Sequence, residues 1–183
     1  MKPIPALPLQ TSEWLNTANP LTLESLKGRV VLIEAFQMLC PGCVSHSLPQ
    51  AQKARQIFSE GDLAVIGLHT VFEHHEAQGT RAALEAFLHE YRITFPVGID
   101  VRDEGQRLPR TMQTYQMQGT PTTILIDRAG NLRKQKFGRD DDMLIGAEIM
   151  ALVSESAVDL PDQVADSSSG PKSACDDNGC RIA

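Results

Sequence analysis

The chain has 183 residues with 17 Lys and Arg against 23 Asp and Glu, a net charge of -6, and 42% hydrophobic residues. This is enough chain for one hydrophobic core of ordinary size with a modest appendage, and too little for two independent domains of common size. The acidic balance offers no basic field for counterion release, which excludes nucleic acid as the main partner and disfavours an anionic membrane surface. The longest apolar run, from Val30 to Ala35, is strand-sized and contains Glu34, so no transmembrane segment is expected. Pro3, Pro5 and Pro8 interrupt the N-terminus where a signal peptide needs an unbroken apolar stretch, and a cytoplasmic address is expected.

In chain order, Val30 to Phe36 reads as a buried parallel strand that runs straight towards Cys40. From Pro41 onward Val44, Leu48, Ala51, Ala54, Ile57 and Phe58 recur at helical spacing, with a kink at Pro49 and an end at Gly61. Residues 63–68 read as a second strand. Residues 80–91 read as an amphipathic helix with Leu84, Phe87, Leu88 and Tyr91 on one face, which gives a βαβ rhythm. A short strand at 95–99 and a short helix at 108–115 follow, then a hairpin of 122–127 and 131–137 turning at Arg128-Ala129-Gly130-Asn131. A closing helix is expected over 141–153, its apolar face made of Met143, Leu144, Ala147, Met150 and Ala151. Beyond it, residues 154–183 hold six acids against Lys172 and Arg181, and Ser167-Ser168-Ser169-Gly170-Pro171 has linker composition. The expected organisation is therefore a domain over 1–153 and a flexible acidic tail over 154–183.

Four cysteines fall in two close pairs, Cys40 with Cys43 and Cys175 with Cys180. A strand, a sharp turn and a helix opening on Cys-Pro-Gly-Cys place Cys40 at a helix N-terminus, where unpaired amides and the helix dipole favour a thiolate. Pro41 suits the first helical position because the amide it lacks has no intrahelical partner there. Cys43, one turn on, is placed to attack a mixed disulfide on Cys40 and release the substrate reduced. The same pair could instead supply half of a zinc site, although such knuckles usually sit on irregular loops.

The run Val30-Val31-Leu32-Ile33-Glu34-Ala35-Phe36-Gln37-Met38-Leu39-Cys40-Pro41-Gly42-Cys43 resembles the active-site segment of thioredoxin-fold proteins. Gly119-Thr120-Pro121-Thr122-Thr123-Ile124-Leu125-Ile126-Asp127 is similar to the segment that bears that fold's cis-proline. Both motifs in this order point to the TlpA/ResA-like branch of the redoxin superfamily, over residues 7–153. The resemblance implies a mixed sheet flanked by helices, a cis bond at Pro121 facing the Cys40 sulfur, and Thr120 docking an extended substrate segment. It also implies that Glu34, six residues before Cys40, is a buried acid that accepts the Cys43 proton, a role for which burial would raise its pKa. Three departures stand out: Leu39 occupies the usual Trp position, Gln37 and Met38 replace small and polar neighbours, and Pro49 lies one residue farther from Cys43 than the pattern has it. His46 falls near a position where TlpA/ResA-like proteins carry Glu, and it either tunes Cys43 or sits on the surface. A thiol peroxidase of the related fold would need Pro at 33 and Thr at 37, where this chain has Ile33 and Gln37.

His69, His74 and His75 are assigned to the loop after the second strand, a solvated loop or a transition-metal site. Met112 and Met117 read as core filler or substrate-face contacts. Cys175 and Cys180 flank the turn-forming residues Asp176-Asp177-Asn178-Gly179, which suggests a second redox pair on the tail. The expected function is thiol-disulfide exchange without a cofactor, most simply reduction of a protein or small-molecule disulfide, with a thiol electron donor as the other partner. The alternative from a different class is a metal-binding or metal-delivery protein built from the cysteine pairs and the histidines.

Overall fold

The structure is a computed structural model and describes residues 3–155, together with the backbone of Cys175–Asp176 and Gly179–Cys180. Its centre is a six-stranded mixed sheet in the order β1-β4-β3-β2-β5-β6. The strands are β1 (Thr11–Leu15), β2 (Val30–Phe36), β3 (Leu63–His69), β4 (Val97–Asp100), β5 (Thr122–Ile126) and β6 (Leu132–Phe137). β2, β3 and β4 run parallel, as continuous apolar runs joined by helical crossovers should. β5 and β6 form the antiparallel hairpin on one side, and β1 closes the other edge antiparallel to β4. At the β5–β6 turn Gly130 takes φ +88°, a conformation that a side chain would strain, while Asp127 Oδ1 accepts the amides of Ala129 and Asn131 at 3.0 and 2.8 Å.

Two apolar clusters cover the two faces. Val30, Leu32 and Phe36 of β2 pack with α1 (Leu48–Ile57), α3 (Arg81–Glu90) and α5 (Asp142–Ser154), whereas Val31, Ile33 and Ala35 face Met112 of α4 (Arg110–Thr114), Tyr115 and Met117. A single turn of helix, α2 (His75–Gln78), precedes α3. Thr80 caps α3 by accepting the Ala83 amide, and Asp141 caps α5 by accepting those of Met143 and Leu144. The buried Asp100 carboxylate of β4 accepts the amides of Thr111 and Met112 at 2.8 and 3.1 Å, which satisfies the start of α4 from a distant strand. Among the described residues no helix is long and apolar enough to cross a membrane.

Several expectations are corrected. The helix after Cys43 ends at Ile57, with Phe58 already extended, so Gly61 is not its terminator. The short helix is confined to Arg110–Thr114 because Pro109 stands at its N-cap, and the short strand begins at Val97 rather than Phe95. The largest correction concerns α5: Ile145, Ile149 and Leu152 face the core, while Met143 is 84% exposed and Leu144, Ala147, Met150 and Ala151 also face outward. That helix is apolar almost all round, so periodicity could not choose its inner face. β1 is an addition to the elements read from the sequence.

The dithiol site at the end of β2

β2 delivers the chain to the site, and the residues after it build it. The backbone turns at Gln37–Cys40, with the Cys40 amide donating to the Gln37 carbonyl at 3.2 Å, and the Cys43 and Val44 amides both donate to the Cys40 carbonyl at 3.1 Å. Cys40 is half-buried and Cys43 wholly buried, both as free thiols. The Cys43 amide donates to Cys40 Sγ at 3.2 Å, and Cys40 Sγ lies 3.5 Å from the Thr120 carbonyl oxygen. The Thr120–Pro121 bond is cis. A Cβ placed on Gly42 would stand 3.4 Å from Pro121 Cδ, so the two motifs, far apart in sequence, meet in van der Waals contact. Burial, reinforced by the neighbouring Cys40, pushes the Cys43 thiol up, so this sulfur resists ionisation unless a base assists it.

Glu34 is 0% exposed and lies on the β2 face that also carries Val30, Leu32 and Phe36, the face that packs with Cys43. Its only hydrogen-bond partner among the described side chains is the Thr123 hydroxyl, 2.9 and 3.1 Å from the two carboxyl oxygens. Burial pushes the Glu34 carboxyl up to about 8; the Thr123 hydrogen bond and the Lys134 charge oppose that rise and the Asp140 charge adds to it. The register sets Glu34 opposite Thr123, and Thr123 opposite Lys136, so a polar row crosses from the sheet centre to its β6 edge. There Asp140 is paired with both Lys134 and Lys136. Burial works against an Asp140 charge, yet the two lysines hold its carboxyl below the usual range.

The extra residue before Pro49 has a structural answer. Residues Cys43–Ser47 form a π-helical turn in which the Leu48 amide reaches back to the Cys43 carbonyl, and α1 continues from there with Pro49 in its first turn. The wider turn aims His46 Nε2 at the Asp140 carbonyl, 2.6 Å away, where the ring N–H donates. His46 thus ties the helix to the loop before α5, and Gln50 adds a second tie to the same carbonyl at 3.2 Å.

Two glutamines complete the site: Gln37, marked in the sequence only as a departure from the family pattern, and Gln78, which nothing in the sequence marked. Gln37 is buried, and its Oε1 accepts the Phe72 amide at 3.1 Å and Gln78 Nε2 at 3.2 Å. Gln78, the last residue of α2, is buried too, and its Oε1 accepts the Leu39 amide at 3.0 Å, so the segment before Cys40 is pinned to α2 and, through Phe72, to the loop after β3. The only signal in the sequence was the departure of Gln37 itself. Leu39 is 57% exposed beside Cys40, and the ring of Phe137, also exposed, lies over Gly119 where a Cβ would meet Cε2 at 2.9 Å.

The histidine assignment changes. His69 is the last residue of β3, not a loop residue, and is buried with its ring 5.3 Å from that of Phe36, apart from His74 and His75 at the start of α2. Among the described residues no group of three His, Cys, Asp or Glu is arranged to hold a metal ion. Met112 and Met117 are core residues of the second cluster. The side chains of Cys175 and Cys180 and the linker before them lie outside the described residues.

A dithiol at the start of a helix, a buried acid on the strand beneath it and a cis-proline opposite define a thioredoxin-like protein. Comparison with known proteins agrees: the chain belongs to the AhpC/TSA family, whose model matches residues 2–135. A solved thioredoxin-like superfamily protein is 57% identical, with a TM-score of 0.81 over 84% of this chain and 99% of that one. A thiol-disulfide isomerase from Corynebacterium glutamicum is 49% identical, with a TM-score of 0.80 over 83% of this chain and 97% of that one. The protein DipZ of Mycobacterium bovis is 31% identical over 81% of this chain, and the thiol-disulfide oxidoreductase ResA of Bacillus thuringiensis 28% identical over 64%. The matched region spans only 21% of DipZ and 60% of ResA.

Proposed function

We propose that Cys40 and Cys43 catalyse thiol-disulfide exchange on a protein or small-molecule disulfide. The observation that carries this reading is the asymmetry of the two sulfurs: Cys40 Sγ is reachable and receives the Cys43 amide, whereas Cys43 is fully buried and held protonated. In the reducing direction Cys40 attacks one sulfur of the substrate, whose other sulfur leaves as a thiolate. Cys43 then gives its proton to ionised Glu34 and attacks the Cys40 sulfur, so the substrate departs reduced and a Cys40–Cys43 disulfide remains. A thiol donor returns two electrons to that disulfide. The Thr120–Pro121 segment docks the substrate, and exposed Leu39 adds apolar contact beside the attacking sulfur. Pro121 contributes no amide, which leaves the edge beside Cys40 free of a competing donor. A cytoplasmic setting favours this reducing direction.

The test is an anaerobic glutathione redox titration with the disulfides mapped by mass spectrometry. A Cys40–Cys43 disulfide titrating near the thioredoxin value of about -270 mV supports a reductant. A value near about -120 mV would reverse the direction, and a pair that never oxidises would overturn the reading.

A further inference from the structure

We infer that Gln37 is a positioning residue for polypeptide substrates: its buried side-chain amide ties the docking segment at Thr120 to the chain before Cys40 and so fixes the gap between a docked disulfide and the attacking sulfur. This rests on the exchange reading of Cys40 and Cys43 given above.

The first support is the completeness of the network. Gln37 is 1% exposed, and a side-chain amide carries two N–H donors and a carbonyl oxygen with two lone pairs. All of them are engaged. Oε1 accepts the Phe72 amide and Gln78 Nε2, while Nε2 lies 3.4 Å from both Glu73 Oε1 and Thr120 Oγ1. Gln78 is used in the same way: its Oε1 accepts the Leu39 amide, and its Nε2 donates to Gln37 Oε1 and, at 2.9 Å, to the Glu73 carbonyl. Backbone amides only donate, so Phe72 and Leu39 fix which end of each side chain is the oxygen, and the end of Gln37 that faces Thr120 is the donor.

The second support is where the network ends. Thr120 meets the dithiol turn through its carbonyl oxygen, 3.5 Å from Cys40 Sγ, and Pro121 lies against Gly42. The residues on either side of Thr120 are anchored within the sheet: the Thr122 hydroxyl donates to the Gly119 carbonyl at 2.7 Å, and the Gly138 amide to the Pro121 carbonyl at 2.9 Å. The Thr120 hydroxyl instead accepts from Gln37, and Gln37 passes through Gln78 to the Leu39 amide, next in the chain to Cys40. One network therefore grips both the docking segment and the nucleophile's own segment.

The third support is chemical. A carboxamide neither titrates nor attacks a disulfide, so Gln37 acts through the residues it holds. A compact disulfide meets Cys40 without lying along the docking segment, whereas an extended peptide must register on Thr120 before its sulfur is in line. Misplacement by about 1 Å costs up to about a hundredfold in rate, so a loosened Thr120 penalises the peptide more than the compact disulfide.

The test compares two substrates with a common leaving group: an extended peptide whose one cysteine is bridged to mercaptoethanol, and hydroxyethyl disulfide. Fully reduced protein is mixed with each in excess, and oxidation of Cys40 and Cys43 is followed by acid quench, alkylation and mass spectrometry. In Gln37→Ala the ratio of second-order rate constants, peptide over hydroxyethyl disulfide, is expected to fall about tenfold. Thr120→Val, which removes the hydroxyl at the other end of the tie, should lower the ratio by a similar factor, and the double variant by no more than about twofold beyond either one. Thr120→Ser, which keeps the oxygen, should recover most of the ratio, so the inference is decided even where Gln37→Ala fails to fold. Equal losses with both substrates, or losses that multiply in the double variant, would mean that Gln37 supports the fold without positioning the substrate, and overturn the inference. A Thr120→Ser variant no better than Thr120→Val does the same. Wild-type protein separates the two readings: oxidation by neither substrate sinks the exchange reading, and oxidation by both with an unchanged ratio in the variants sinks the role of Gln37 alone.

Discussion

Glu34 and His69 are buried groups whose protonation differs between folded and unfolded chains, in opposite senses. Folded Glu34 titrates at about 8 against 4.5 for the ordinary carboxyl, so its contribution is present below about 4.5 and lost as pH rises through 8. Burial pushes the His69 imidazole down to about 4 from 6.5, so stability is present above about 6.5 and lost as pH falls through 4. The two slopes are opposite and cancel where they overlap, so these groups leave the protein most stable in a flat band between about pH 4.5 and 6.5. Glu34→Gln should remove the alkaline loss, which urea midpoints measured across the range will show as a flattened profile above the band. The same variant should slow the second, Cys43-dependent step of exchange and abolish its pH dependence around 8; an unchanged rate profile would remove Glu34 from the proton path. His69→Phe, which keeps a ring against Phe36 and removes the unpartnered buried Nε2, should flatten the acidic limb in the same titration.

At the scale of the element, the segment before Cys40 is held by Gln78, the last residue of α2. Gln78→Ala leaves the Leu39 amide without its partner, which costs about 1 to 3 kcal/mol if that amide stays buried. Hydrogen exchange at Leu39 should accelerate markedly in this variant, and turnover should fall although neither cysteine is touched. Helix α5 offers a sharper contrast. Ile149→Ala, at a position with no exposed surface, should cost about 2 to 5 kcal/mol through the cavity it leaves. Met143→Lys on the outward face should change stability by no more than about 0.5 kcal/mol. Denaturant midpoints of the two variants check the assignment, and the reverse ranking would restore the face read from periodicity. The helix after Cys43 shows how a single residue of length is absorbed: the extra position before Pro49 widens one turn instead of breaking the helix, and His46 gains the Asp140 carbonyl as a result.

For the whole molecule, both apolar clusters and the entire six-stranded sheet fall within residues 3–155. A chain ended after Glu155 is therefore expected to unfold at the same thermal midpoint as the full protein within about 1 °C, since no described core contact is lost. Calorimetry of the two chains decides this, and a clear drop would mean that the remaining residues pack on the domain. The same truncation should keep exchange at Cys40 and Cys43 with small disulfides.

The sequence by itself determined what depends on neighbours along the chain. β2, β3 and β5 are short, bounded, apolar runs that fit only buried strands, and Cys-Pro-Gly-Cys after β2 fixes a dithiol at a helix start whatever surrounds it. Thr80 and Asp141 announce their helices because a cap is a local hydrogen bond. The tertiary structure decided what depends on residues far apart. Nothing between positions 11 and 15 marks β1 until β4 stands beside it. The inward face of α5 is chosen by the sheet it covers, because a helix apolar on nearly every side carries no directional signal. Whether Glu34 faced solvent or core turned on which strands flanked β2, and only with Thr123, Lys134 and Asp140 in place does the carboxyl acquire the raised affinity for a proton that suits it to assist Cys43. Burial and long-range electrostatics belong to the assembled molecule, and no local pattern encodes them.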